Sequence, residues 1–200
     1  MYKFLIGAMM LGTMAGAQEN LLEDAFTQSY YSEKQANYTL AISTLKKVYD
    51  PQSYEINLRL GWLCYSAGLY KESLNYYQVA AALMPYSIEA KFGVVYPAAA
   101  LGNMTQVMEQ YTKILAIDPQ NTTANYRMGY IFYEKKDYQT AYKYFEKVVN
   151  LYPFGYDGLL MFAWTNYQLG KTREAKILFN KVLLLSPQDK SALEGLALIK

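Results

Sequence analysis

Five of the six prolines recur at an interval of 34 residues, and this spacing constrains the fold more than any other feature of the sequence. They are Pro51, Pro85, Pro119, Pro153 and Pro187. A fixed period of this length is typical of a solenoid, in which each unit buries its apolar face only by stacking on its neighbours. Because proline lacks a backbone N–H and has a fixed φ, each proline is predicted to lie in a turn between units.

Other residue types recur in step with the prolines and predict a helix, a tight turn and a second helix in every unit. Seventeen residues after the proline, a left-handed helix cap is predicted, because glycine occupies three of four positions. These positions are Gly68, Gly102, Lys136 and Gly170. Further on, a small residue and, four positions later, an aromatic residue recur on one face of the second helix. The aromatic residues are Tyr77, Tyr111, Phe145 and Phe179.

This combination of period and columns resembles the tetratricopeptide repeat. The resemblance covers residues from about 22 to 189 and implies an all-α fold, a right-handed α-solenoid of stacked helix-turn-helix repeats. The repeats are predicted at approximately 22–53, 54–87, 88–121, 122–155 and 156–189, followed by a C-terminal capping helix at 190–200. The first repeat is two residues shorter than the others, with the deletion between Val48 and Pro51, which predicts that its second helix ends early or tightens.

The first 17 residues differ from the rest of the chain. One positive charge at Lys3 is followed by an apolar run and then by the small residues Ala15-Gly16-Ala17, which is the pattern of a secretory signal peptide. We expect a signal peptide at 1–17 and the repeat array at 18–200 in an exported protein, periplasmic or secreted. The apolar run is shorter than a transmembrane helix requires, so no transmembrane segment is predicted in the mature chain; an uncleaved anchor is the alternative.

Composition argues against catalysis and against a nucleic-acid partner. The chain has no histidine and only one cysteine, Cys64, so the commonest metal ligands and acid/base groups are missing. Phosphate-loop, nucleophile-elbow and zinc-protease motifs are also absent, so we predict no enzyme activity, metal site or cofactor. A net charge of +2 is too small to indicate nucleic acid. Cys64 falls at a core-facing position and is predicted to be buried.

First helices line the concave face in the family that the chain resembles, so binding residues are expected there. Eleven residues after the proline the side chain is aromatic, and further rings lie on the same helix face three or four residues away. The predicted partner-binding residues are Tyr30, Trp62, Tyr65, Phe92, Tyr96, Tyr126, Tyr130, Tyr133, Trp164 and Tyr167. Packing between repeats is the alternative explanation for these rings, and it applies most to the flanking tyrosines.

Rings of this kind offer large, fairly rigid contact area with a polar tip, which suits peptide segments and sugar faces. We therefore expect a protein-protein interaction scaffold that binds a segment of a partner protein on an aromatic groove. A glycan-binding module of the cell envelope is the alternative. The sequence does not indicate which protein the partner is.

Pro97 departs from the repeat pattern because it falls inside a predicted first helix. An interior proline removes a helical hydrogen bond and clashes with the carbonyl four residues earlier. Gly93 occupies that earlier position and is predicted to give the backbone room to adjust. Two interpretations stay open: a tolerated irregularity, or a bend that reshapes the binding surface.

Overall fold

The structure, a computed structural model, describes residues 20–199, and every regular element in this range is an α-helix. The helices are α1 (20–34), α2 (Tyr38–Lys46), α3 (Tyr54–Ser66), α4 (Tyr70–Leu83), α5 (Ile88–Ala100), α6 (Met104–Ile117), α7 (Thr122–Glu134), α8 (Tyr138–Leu151), α9 (Tyr156–Gln168), α10 (Thr172–Leu185) and α11 (Lys190–Leu198). None of these helices has the length and apolar character needed to cross a bilayer. The predicted signal peptide, 1–17, lies outside the described residues.

The described residues form two compact units, 20–107 and 108–199, and within each unit helices that follow one another in the chain pack against each other. In the first unit α2 packs on α3, α3 on α4 and α4 on α5, and α3 also contacts α5. In the second unit α7 to α11 pack in the same consecutive way, and α9 contacts both α7 and α11. Hairpins therefore stack with their first helices in contact, which confirms the predicted all-α solenoid fold class.

The turn inside each hairpin has the left-handed residue that the glycine column predicts. The residues are Ala36, Gly68, Gly102, Lys136 and Gly170, with φ between 56° and 76°. The amide that follows this residue donates to the carbonyl five positions earlier, as Leu69 does to Cys64 with an N···O distance of 2.8 Å. This bond satisfies a carbonyl that the end of the first helix would otherwise leave unpaired. Lys136 shows that the turn keeps its geometry where glycine is absent.

The turns between hairpins are stabilised by hydrogen bonds from a buried polar side chain that was not predicted from the sequence. Asn57 Nδ2 donates to the carbonyls of Pro51 (3.2 Å) and Ser53 (2.7 Å). Asn125 and Lys91, six residues after their own prolines, make the equivalent pair of hydrogen bonds. Each bond pair connects the proline turn to the first turn of the next helix, so it sets where that helix begins.

α2 is shorter than the second helix of every later hairpin. It spans nine residues, whereas α4, α6, α8 and α10 each span 14. The two-residue deletion before Pro51 leaves less chain for this helix, so its early end is confirmed. It still contributes Leu45, which is fully buried, to a core cluster that includes Cys64 at 1% exposure. Burial of Cys64 is therefore also confirmed.

α5 continues through Pro97, and Pro97 itself is buried. Gly93, one turn earlier, is needed for close packing of a ring. A Cβ atom at Gly93 would lie 2.2 Å from Cδ1 of Tyr77, and one at Gly61 would lie 2.8 Å from Cγ of the same ring. The buried Tyr77 therefore occupies space that only glycine leaves open on α3 and α5. This gives Gly93 a role that the interpretation based on Pro97 did not include.

Candidate functional site

In the first unit, α1, α3 and α5 line a cleft with a volume of about 640 Å³. Tyr77 of α4 also lines it, and most of its other side chains are aromatic or acidic. Four of the predicted binding residues come together here: Tyr30 from α1, Trp62 from α3, and Phe92 and Tyr96 from α5. The predicted stripe thus places rings from three successive first helices around one cavity.

Three of these rings are accessible although they are large and apolar. Tyr30 is 50% exposed, Trp62 42% and Tyr96 46%, whereas Tyr77 is only 4% exposed. Tyr65, half-buried, connects two of them, since its ring centroid lies 6.2 Å from that of Trp62 and 5.7 Å from that of Tyr96. The rings of Trp62, Tyr65 and Tyr96 therefore form a contiguous aromatic series along α3 and α5.

A partly buried ion pair, absent from the sequence prediction, orients two of the rings. Arg59 is 7% exposed, and its Nη1 lies 2.6 Å from Oε2 of Glu33. Its Nε donates to Ser29 Oγ at 3.2 Å, and its Cζ lies 3.8 Å from the centroid of the Tyr30 ring. The other oxygen of Glu33, Oε1, accepts the indole N–H of Trp62 at 2.5 Å. Arg59 and Glu33 thus hold Tyr30 and Trp62 and join α1 to α3.

The sequence contains a signal for this pair. Glu33 lies three residues after Tyr30, and Arg59 lies three residues before Trp62. Because Tyr30 and Trp62 occupy equivalent positions on successive first helices, residues one helical turn away on the same face can meet. Opposite charges flanking two equivalent aromatic positions therefore indicate an inter-repeat contact.

Acidic side chains mark the opening of the cleft. Glu55 and Glu89 both line it, and both are exposed. Tyr54 lies beside one of these carboxylates: its hydroxyl is 2.9 Å from Ser87 Oγ and 3.2 Å from Oε2 of Glu89. Burial is the main cause that raises the pKa of Tyr54, and the charges of Glu89 and Glu55 raise it further. The opening is therefore electronegative.

Only one of the five predicted rings in the second unit is well exposed. Tyr130 is 42% exposed. Tyr126 is half-buried, packs on Phe145 with centroids 5.8 Å apart, and lines a second, smaller cleft of about 460 Å³. Tyr133 packs edge-on against Tyr138 at 5.3 Å. Burial is the main cause that raises the pKa of both Tyr126 and Tyr133.

Trp164 is held against its own hairpin and the last helix. Its ring lies 5.0 Å from that of Phe179, and its indole N–H donates to Ser191 Oγ at 2.8 Å. Tyr167 packs edge-on against Trp164 at 5.8 Å. Trp164 thus packs within its own hairpin and against α11, and Tyr167 packs on Trp164 of the same helix, whereas three rings around the first cleft are more exposed. Partner binding by all ten residues stays a prediction.

Comparison with known protein families shows which repeat family this chain matches. Family models of the tetratricopeptide repeat match residues 26–88, 123–154 and 156–189, which together make up more than half of the chain. No curated protein sequence matches it.

Solved structures show the same fold at low sequence identity. A tetratricopeptide repeat protein from Parabacteroides merdae ATCC 43184 is 21% identical with a TM-score of 0.77, over 90% of this chain and 72% of that one. MamA is 18% identical with a TM-score of 0.72, over 82% and 91%. YrrB, described as a TPR protein with an unusual peptide-binding site, is 14% identical with a TM-score of 0.71, over 91% and 95%.

Proposed function

The chain belongs to the tetratricopeptide repeat family, and on that basis we propose that it is an interaction scaffold whose first unit binds an extended segment of a partner protein. The observation that carries this proposal is the cleft of α1, α3 and α5, around which Tyr30, Trp62 and Tyr96 are each about half exposed. Tryptophan and tyrosine are enriched among the residues that dominate the binding energy at protein interfaces.

Other side chains of the protein also order these rings in the absence of a partner. Glu33 accepts the indole N–H of Trp62, and the Arg59 guanidinium lies against Tyr30. Side chains that are already ordered lose less conformational entropy on binding, so more of the contact energy appears as affinity. The similarity to YrrB, whose description names a peptide-binding site, supports a peptide segment as the ligand.

Selection from a phage-displayed random peptide library, with residues 18–200 as the target, tests this proposal. We expect enriched peptides whose affinity falls by about tenfold or more in Trp62→Ala and in Tyr30→Ala, the loss typical of residues that dominate an interface. Tyr31→Ala is the matched control. Tyr31 is adjacent on α1 and 60% exposed but does not line the cleft, so its replacement should leave affinity unchanged.

Thermal melts of the variants exclude unfolding as the cause of lost binding, and Trp62→Phe should retain part of the affinity because it keeps a ring. Peptides that bind Trp62→Ala and the unchanged protein equally well would contradict the cleft as the site. If no peptide is enriched but the protein cosediments with insoluble peptidoglycan in a Trp62-dependent manner, the ligand is a glycan and the peptide proposal is wrong.

We also propose that the protein is exported and acts in the periplasm or outside the cell. The support is the charged, apolar and small-residue pattern of residues 1–17. N-terminal sequencing of the protein from cell fractions tests this. Export predicts a mature chain that begins at Gln18, and a chain that retains Met1 in the cytoplasmic fraction would contradict it.

A further inference from the structure

We infer that the segment bound by the first cleft is basic and places a lysine or arginine side chain between the acidic opening and the exposed rings. This inference rests on the proposed function and specifies the chemistry of the partner. Its basis is the set of groups that the cleft still offers once its internal hydrogen bonds and ion pair are counted.

The charges that face a ligand in the cleft are negative. Among the described residues that line it, Arg59 is the single basic side chain, and its charge is compensated by Glu33 at 2.6 Å. Glu55 and Glu89 remain, both exposed. A cationic side chain that enters the cleft therefore meets two carboxylates and no uncompensated positive charge, whereas an anionic one meets repulsion.

Two hydrogen-bond donors of the cleft, from Trp62 and Tyr54, are already used inside the protein. The Trp62 indole N–H is bound to Glu33, and the Tyr54 hydroxyl interacts with Ser87 and Glu89. One oxygen of Glu55 accepts from Ser53 Oγ and one oxygen of Glu89 accepts from Tyr54. The groups left for a ligand include the other oxygen of each carboxylate and the aromatic ring faces. Both attract a cation, since carboxylates accept its N–H groups and ring faces interact with its charge.

Arg59 supplies a second contact that points to a polypeptide. Within the described part of the chain, its buried Nη2 has no hydrogen-bond partner. The ring that lies over the guanidinium, Tyr30, is 50% exposed, so Arg59 lies directly beneath the surface of the cleft. A main-chain carbonyl is the kind of acceptor that Nη2 lacks, and an extended peptide presents one at every residue. The same segment can thus satisfy Arg59 with its backbone and the two glutamates with a basic side chain.

The peptide selection described above gives the first readout, and synthetic fluorescein-labelled copies of the enriched peptides give the second. We expect lysine and arginine to be over-represented in peptides that depend on Trp62. Changing the basic residue of such a peptide to glutamine should weaken binding to the unchanged protein. Changing both Glu55→Gln and Glu89→Gln should lower affinity roughly fivefold, as for two partly exposed charge pairs.

Glu23→Gln with Glu72→Gln is the matched control. These carboxylates lie on α1 and α4 of the same unit, are exposed and do not line the cleft. The control removes the same charge, so affinity should change less than about twofold near 0.15 M salt, where the screening length is about 8 Å. Equal losses in both double variants would overturn the inference.

The outcomes separate this inference from the proposed function. Trp62-dependent peptides without an excess of lysine or arginine would leave the peptide-binding function standing and overturn the basic preference. Peptides rich in aspartate or glutamate would do the same. If no enriched peptide depends on Trp62, the proposed function fails and the inference fails with it.

Discussion

Replacement of Gly93 by alanine tests how the floor of the first cleft is packed. The added Cβ would lie 2.2 Å from Cδ1 and 2.3 Å from Cε1 of Tyr77. Ordinary carbon contacts are about 3.5–4.0 Å, so the overlap exceeds about 1 Å. Tyr77 has little room to retreat, because it is 4% exposed and its ring also lies against Gly61 on α3.

Two opposing terms set the expected size of the effect. Alanine is favoured over glycine inside a helix by about 1 kcal/mol. Overpacking a rigid core site costs about 1–3 kcal/mol, and sometimes more. Because the Tyr77 ring is confined by two helices, the cost should fall at or above the upper end of that range. We expect Gly93→Ala to lower the free energy of unfolding by about 2 kcal/mol, or the melting temperature by about 4–8 °C for a chain of this size.

Urea denaturation followed by tryptophan fluorescence measures the loss, and two background variants identify its cause. With Tyr77→Leu the ring is gone, so Gly93→Ala should be neutral or stabilising by up to about 1 kcal/mol. With Pro97→Ala the clash remains, so the cost should persist. If Gly93→Ala lowered the free energy of unfolding equally without the Tyr77 ring, or no longer lowered it with Pro97→Ala, the reasoning would be refuted. Gly93 would then be needed to accommodate Pro97 in the helix.

Three further predictions concern other parts of the chain. Lys136→Gly should stabilise the protein by about 1 kcal/mol in urea denaturation, because Lys136 has a φ of 61° that disfavours side chains; a loss of stability would contradict this. Burial raises the pKa of Cys64 to about 11, so a thiol reagent at mildly alkaline pH should label the folded protein far more slowly than the denatured one, and equal rates would argue against burial. The hydroxyl of Tyr156, 2.5 Å from Asp189, is the main cause that lowers the pKa of this aspartate. The resulting stabilisation is present above the ordinary aspartate pKa of about 3.9 and lost as pH falls through the lower folded value, so the melting temperature of Asp189→Asn should depend less on acid pH than that of the unchanged protein.

The repeat architecture could be predicted from the sequence because equivalent positions in successive repeats are under the same packing restraint. A single glycine such as Gly68 indicates little, but three glycines in step indicate a left-handed cap, and Lys136 then follows from its position. The early end of α2 could also be predicted as one of two alternatives, because the two missing residues fall between Val48 and Pro51, where this helix must either end early or tighten. The role of Asn57 could not be predicted, because the residue six positions after each proline is asparagine, lysine or leucine. Residue type alone therefore does not show the shared hydrogen bonds.

The site was less predictable, because periodicity places a residue on a helix face without saying what covers it. Trp62 and Trp164 occupy the same column, eleven residues after a proline. Trp62 is tied to Glu33 and stays 42% exposed, whereas Trp164 packs on Phe179 and bonds to Ser191. Their different surroundings depend on neighbours that do not repeat.

The position eight residues after each proline recurs in every repeat, but its residue type varies, and this variation shapes the cleft. This column contains Arg59, Gly93, Arg127, Met161 and Gly195. In α3 the long side chain of Arg59 reaches back to Glu33 and holds Tyr30 and Trp62. In α5 the same position is Gly93, which lines the cleft and lets the buried Tyr77 ring pack directly against the helix backbone. A long residue followed one repeat later by glycine therefore orders the exposed rings of Tyr30 and Trp62 on one side of the cleft and lets Tyr77 pack closely on the other.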